Sequence, residues 1–288
     1  MTESKTPPVD LNTLRQDIDS IDTQIHELLN KRARCAQQVA EVKLAEFAAA
    51  QQFESSGDSN SSQQLLFYRP EREAQVLARV KAANNGPLAD DTVAFIFREI
   101  MSACLALEKP MEVAYLGPGG TFTQAAALKH FGHAVISVPQ TSIDGVFAKV
   151  ESGQCHYGVV PVENSTEGMV SHTLDAFINS PLKICGEVEL RIRLHLLVSS
   201  QTTGKEIKRI CAHQQALAQS RRWLDANFPG VERSAVSSNG EAARMAAEEE
   251  GVAAIAGDLA ESQYGLQQLA GNIEDQPDNT TRFLIIGR

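Results

Sequence analysis

The feature that most constrains this chain is an apolar stripe near its start. Leu11, Leu14, Ile18, Ile21, Ile25, Leu28 and Leu29 recur at spacings of three and four, and Val39 and Val42 continue the series. That is the period of one face of an α-helix. No proline or glycine interrupts it between Asp10 and Glu46. At ~1.5 Å rise per residue such a helix runs roughly 50 Å, longer than a small domain is wide. It needs a partner along its length, and a second copy of the chain is the simplest one.

The segment AAAQQFESSGDSNSSQQ follows, rich in Ser, Gln and Asn, and reads as a mobile loop over residues 48–66. A second helix starts near Pro70, where proline suits the first turn, and Asn84-Asn85-Gly86-Pro87 ends it. Asp90 or Asp91 is in place to cap a third helix, TVAFIFREIMSACLALE. Pro110 disfavours further helix. Residues 10–108 therefore read as a three-helix domain, an open bundle that closes best as a dimer. From 111 to 288 the pattern changes. Strand-like runs (EVAYL, AVISV, YGVVPV, LHLLV, VAAIAG, RFLIIG) alternate with helix-like ones, which predicts an α/β domain.

A chain of 288 residues, 43% hydrophobic, holds two such domains comfortably. Its net charge of −10 argues against nucleic acid or an anionic membrane as partner. Small anionic substrates stay open, because a few arginines in a cleft outvote the global charge. Five scattered cysteines with no CxxC pair fit reduced thiols in a cytoplasm better than a disulfide or zinc framework. The first thirty residues carry four aspartates and no continuous apolar run, unlike a secretion signal. No apolar run approaches the ~20 residues of a membrane span.

Four basic residues stand out on the helices: Arg15, Arg32, Lys43 and Arg72. Each alone reads as ordinary surface charge. Together they say more. Arg32 and Lys43 are eleven residues apart, so steps of ~100° return them to one face, roughly 16 Å apart along the axis. Two long side chains leaning inward can clamp a compact dianion. Arg15 is turned roughly 100° from Arg32 and points elsewhere, toward a dimer partner.

These residues carry a resemblance. LxxLRxxIDxIDxxIxxLLxxR, a lysine eleven residues on, and then PxRE resemble the all-helical class of chorismate mutase. The resemblance implies an intertwined dimer. Arg15 would be the cross-subunit arginine, Arg32 and Lys43 the main clamp, and Arg72 and Glu73 further pocket residues on the second helix. Lys43 would donate to the ether oxygen of the breaking bond, and Glu73 would hold the ring hydroxyl. The reaction is a pericyclic rearrangement and needs no nucleophile. The protein must fold the substrate and stabilise charge on that oxygen. Three departures mark this chain: a longer loop between Lys43 and Arg72, Arg69 where relatives place an acid, and Glu108 with Cys104 where the family often has a glutamine and a serine. A carboxylate at 108 would repel the ether oxygen unless protonated. Glu108 is therefore expected to work as the neutral acid, with mutase activity favoured at mildly acidic pH.

In the second domain EVAYLGPGGTFTQAAALKHF is strand, glycine-rich turn, helix. It lacks the lysine of a phosphate loop and is not GxGxxG. A helix N-terminus with Thr121 and Thr123 beside it suits a carboxylate. YGVVPVENSTEG sets polar residues at a strand's carboxyl end, where open α/β sheets bind ligands. With the segment AHQQALAQ, YGL and the closing NTTRF, these runs resemble prephenate dehydratase, in the family's order from about 112 to 288.

That resemblance implies two α/β lobes around a cleft, like a type II periplasmic binding protein. The first lobe would span about 111–187 and 273–288, the second about 188–272. Thr281 would act on the leaving ring hydroxyl. Arg282 would orient the loop or a carboxylate. Asn164, Ser165 and Gln219 would be supporting polar residues, and Thr121 with neighbouring N–H groups would bind carboxylate. The part of Glu163 stays open, His213 reads as structural, and Ala212 and Gln214, where AHQQ departs from the commoner SHPQ, are assigned no role. Relatives continue into an ACT-type domain that binds phenylalanine, so this chain is expected to keep both activities without that inhibition.

The leading reading is a cytoplasmic, homodimeric, bifunctional enzyme taking chorismate to prephenate and then to phenylpyruvate, with neither metal nor organic cofactor. Two rivals remain: a two-lobe small-acid binding or sensor protein with a helical dimerisation module, and an enzyme retaining one activity only.

Overall fold

The computed structural model describes residues 10–54, 68–202 and 206–288. Contacts divide the chain into two units, with the break between Pro110 and Met111.

The first unit is helical. Its helices are α1 (Leu11–Glu54), α2 (Pro70–Ala82) and α3 (Asp90–Glu108), and α3 packs against both others. Helix α1 has 44 residues, about 66 Å at the usual rise. It continues seven residues into the segment expected to be loop from 48. The reason is compositional. Ala, Gln and Glu are good helix formers however polar the run looks, and the Ser-Ser-Gly-Asp breaker begins only at Ser55. The rest of that expected loop lies outside the described residues.

Pro70 opens α2, with Glu71 and Glu73 in its first turn and Arg79 and Lys81 in its last, all favourable to the helix dipole. The cap position of α3 is Ala89, not an aspartate. Asp90 and Asp91 stand in its first turn, where Asp90 accepts from Asn84 Nδ2 at 2.7 Å and Asp91 meets Lys81 Nζ at 2.5 Å. The apolar stripe of α1 is uncovered: Ile18 is 56% exposed and Leu28 64%.

The second unit comprises β1 (Glu112–Leu116), α4 (Phe122–Phe131), β2 (Ile136–Gln140), α5 (Ile143–Glu151), β3 (Tyr157–Asn164), β4 (Gly168–Met169), α6 (Ser171–Asn179), β5 (Lys183–Arg191), β6 (His195–Val198), β7 (Arg209–His213), α7 (Gln214–Gln219), α8 (Arg221–Asn227), β8 (Glu232–Val236), α9 (Asn239–Glu248), β9 (Val252–Ala256), α10 (Asp258–Tyr264), β10 (Gln267–Ala270) and β11 (Thr280–Gly287). They form two sheets. One has the order β2-β1-β3-β11-β5, with β4 beside β3; the other is β10-β6-β9-β7-β8. In each, strands joined through helices run parallel, and the returning strands are antiparallel.

Successive residues of β3 feed opposite faces of the first sheet. Val160 and Val162 join Val146, Phe147 and Val150 of α5, with Leu284 and Ile286 of β11. Tyr157 faces the other way, against Phe131 of α4 at a ring distance of 5.4 Å. Gly158 lets α5 close down, since a Cβ there would lie 2.7 Å from a Val146 methyl. In the second sheet the central strand β9 is buried at every position, as a strand covered on both faces must be.

The chain passes between lobes later than the sequence suggested at 187. Strand β5 stays in the first sheet through Arg191, and Ile192 and Ile273 both belong to the second lobe's core. The lobes touch through glycines. The Tyr264 hydroxyl donates to the Gly119 carbonyl at 3.0 Å, and a Cβ on Gly240 would lie 2.3 Å from that same oxygen. Part of the glycine content of GPGG and NGE thus serves close approach of backbone to backbone.

Candidate active sites

In the helical unit, Arg32, Lys43, Glu73, Cys104 and Glu108 are the less exposed members of the expected set, whereas Arg15 and Arg72 are exposed. Arg32 Nη1 donates to the Ile100 carbonyl on α3 at 3.4 Å. Burial pushes the Glu108 carboxyl above its ordinary range, while the positive charges of Lys43 and then Arg32 oppose that shift. These three side chains of α1 and α3 therefore share one electrostatic neighbourhood. Glu108 Oε2 is buried with no hydrogen-bond partner among the described residues. A carboxyl so placed is costly to ionise. Glu73 of α2 is also pushed up by burial, opposed by Arg98 and by a hydrogen bond from Tyr68. Arg98 Nε reaches Glu73 Oε1 at 3.4 Å, a partner the sequence reading missed.

In the α/β unit, Asn164 ends β3 and Thr281 is the second residue of β11, directly opposite in the antiparallel register. That register shifts between Arg282 and Phe283, a bulge of the kind that re-aims side chains. Asn164 Nδ2 donates to Thr281 Oγ1 at 2.7 Å and to Asn279 Oδ1 at 2.9 Å. Asn164 Oδ1 accepts from the N–H groups of Thr166 at 3.0 Å and Glu167 at 3.1 Å. The Thr166 hydroxyl donates to Asn279 Oδ1 at 3.2 Å, and Asn279 Nδ2 donates to Gln219 Oε1 at 3.0 Å. Ser165 holds the neighbouring backbone: its Oγ accepts from Thr280 N–H at 3.0 Å, and its own N–H donates to the Thr280 carbonyl at 2.9 Å. Beside Thr281, Arg282 meets Glu163 at 2.8 Å across the strands, both half-exposed.

So Asn164, Ser165, Thr281 and Gln219 come together, with Arg282 at the rim. Asn279, 2% exposed, is the member that sequence reasoning did not single out, although it stands inside the NTTRF run. Thr121 is not bonded to this cluster. It caps α4, accepting from Gln124 N–H at 3.5 Å and donating to the Pro118 carbonyl at 3.1 Å. It lines a cavity of about 700 Å³ between the lobes, with Thr123, Gln140, His213, Ser238 and Glu241 among the other walls. His213 caps α7 through Nδ1, which accepts from Gln215 N–H at 3.4 Å.

Comparison with known proteins agrees with both halves. Residues 14–109 match the family model of chorismate mutase type II, and residues 113–288 that of prephenate dehydratase. A bifunctional chorismate mutase/prephenate dehydratase of Stutzerimonas stutzeri is 57% identical over 277 residues, 96% of this chain and 73% of the relative. The Neisseria gonorrhoeae protein of the same name is 49% identical over 275 residues, 95% of this chain and 71% of that one. Among solved structures, the prephenate dehydratase of Arthrobacter aurescens, in complex with L-Phe, superposes with a TM-score of 0.57 at 35% identity. That match covers 62% of this chain and 60% of the other. The chain belongs to the bifunctional chorismate mutase/prephenate dehydratase family.

Proposed function

We propose that the chain rearranges chorismate to prephenate on its helical unit and converts prephenate to phenylpyruvate on its α/β unit. In the first step the ether C–O bond breaks as a C–C bond forms. Arg32 and Lys43 hold the substrate's carboxylates, and Lys43 and the protonated Glu108 donate to the ether oxygen as charge builds there. Arg72, Glu73 and Cys104 complete the wall. Arg15 reaches the pocket of a second copy, and the chain works as a homodimer joined along α1. The uncovered stripe supports this, because so many large apolar side chains on one helix face are stable in water only when paired.

In the second step the ring carboxylate leaves as CO₂, and its bonding electrons enter the ring. The ring hydroxyl departs, takes up a proton and becomes water. Aromatisation supplies the driving force. Thr281 donates to the departing oxygen. Asn164 and Ser165 hold Thr281 and its strand, Gln219 and Arg282 bind substrate, and Thr121 with the α4 N-terminus receives a carboxylate. The observation that carries this reading is the 2.7 Å bond from Asn164 Nδ2 to Thr281 Oγ1. It uses the threonine oxygen as acceptor and leaves its hydrogen to give away. Five scattered cysteines with no CxxC pair favour a reducing cytoplasm as the working compartment.

The test is to supply the purified chain with chorismate and follow both products over time. Prephenate that rises and then gives way to phenylpyruvate is the expected course. Prephenate that accumulates without phenylpyruvate would contradict the second half. Untouched chorismate, with added prephenate still converted, would contradict the first.

A further inference from the structure

The polar chain behind Thr281 has a direction that can be traced from one fixed end. The N–H groups of Thr166 and Glu167 both donate to one side-chain atom of Asn164. A backbone N–H can only donate, so that atom is the amide oxygen. The nitrogen of Asn164 then faces Asn279, which must answer with its own oxygen. The Thr166 hydroxyl meets that same oxygen. The nitrogen of Asn279 is left for Gln219, which must answer with Oε1. Each amide forbids the flipped form of the next. The last group is Gln219 Nε2, buried and without a partner among the described residues. A buried donor with no acceptor is rare and needs a reason.

We infer that Asn279 is a positioning residue of the dehydratase site, whose amide holds Gln219 with its N–H₂ end free for a substrate oxygen. The inference rests on the reading that Gln219 contacts the substrate. The substrate's carboxylates and keto group, which only accept, suit that sense. Prephenate presents carboxylates, a keto group and a hydroxyl. An amide oxygen at this place would repel a carboxylate, whereas an amide nitrogen pairs with it. Asn279 itself is 2% exposed and acts through its neighbours. A hydrophobic or hydroxyl side chain could fill the space. Only an acceptor on the Asn164 side combined with a donor on the Gln219 side sets the sense of both.

Asn279→Asp tests this, because aspartate keeps the shape and makes the second function depend on pH. Ionised, its outer oxygen is an acceptor, so Gln219 turns its nitrogen inward and shows its oxygen to the substrate. Protonated, the acid O–H donates to Gln219 Oε1 and restores the original sense. The titratable groups around the position are Glu163 with Arg282, Glu167, Asp275, whose N–H donates to the Gln219 carbonyl, and Arg191, bonded to the Pro277 carbonyl. They are common to variant and parent, so the ratio of the two activities removes their titration.

Dehydratase kcat/KM is measured from pH 5 to 9 for the parent, Asn279→Asp, Asn279→Ala and Gln219→Ala, after subtraction of the enzyme-free rate. The aspartate variant should be about 10- to 100-fold below the parent at alkaline pH. It should recover toward the parent as pH falls, reversibly, while the alanine variant stays low throughout. A purely structural role gives no such recovery. An Asn279→Asp ratio that is flat across the range, high or low, would overturn the inference while Gln219→Ala is impaired. Full activity in Gln219→Ala would instead overturn the reading of Gln219 on which it rests.

Discussion

The two units solve the problem of holding an anionic substrate in opposite ways. The helical unit leaves its longest apolar stripe and two of its basic residues, Arg15 and Arg72, exposed to solvent. The α/β unit buries its central strands and ties its polar site into a continuous set of hydrogen bonds within one chain. Among the described residues the three helices leave that face of α1 uncovered. In the α/β unit each sheet is covered by helices of its own lobe. The contrast teaches that one activity should depend on a second copy and the other should not.

The largest expected effect breaks one half and spares the other. Thr281→Val removes the hydroxyl without changing shape, and dehydratase kcat should fall about 10²- to 10⁴-fold with mutase activity unchanged. Equal loss of both would mean the units are not independent. Next, Arg32→Ala should cost the mutase about 10²- to 10³-fold and leave the dehydratase alone. A milder but sharper effect comes from mixing inactive Arg15→Ala with inactive Arg32→Ala chains. If Arg15 crosses to the partner's pocket, half of randomly mixed dimers hold one intact pocket of two, and about a quarter of the parent mutase activity returns. No recovery would keep Arg15 within its own chain or remove it from the site.

The smallest expected effect is in pH. The Glu108 carboxyl is pushed up by burial, with Lys43 and Arg32 opposing. A raised carboxyl pKa extends the neutral, donating form to higher pH. Mutase kcat should therefore be highest on the acid side and decline as pH rises through that pKa, and Glu108→Gln should flatten the decline. A flat or alkaline-leaning profile in the parent, with Glu108→Gln behaving the same, contradicts the role.

How much of this was legible depends on how local each cause is. The α1 stripe is a period within one segment, so spacing alone exposes it. The helix end was harder. Polar Gln and Glu at 51–54 look like loop by solubility but favour helix by side-chain entropy. The crossing between lobes was read at Glu187 because the EVELR alternation there does not say which sheet receives it, and only pairing with β11 does. Thr281, Asn164 and Gln219 were reached through family resemblance, not spacing, since their bonds span 117 and 60 residues. Asn279 escaped for the same reason. An asparagine in a polar turn reads as solvated until the strands that bury it are in place. The Glu163–Arg282 and Glu73–Arg98 pairs likewise need the register of β3 on β11 and the packing of α2 on α3.

The most direct test of the contrast is a dilution series with both activities and the sedimentation of the chain measured on the same samples. Mutase activity per chain should fall in step with the dimer fraction, while dehydratase activity per chain stays constant. A monomer that keeps full mutase activity would contradict the account.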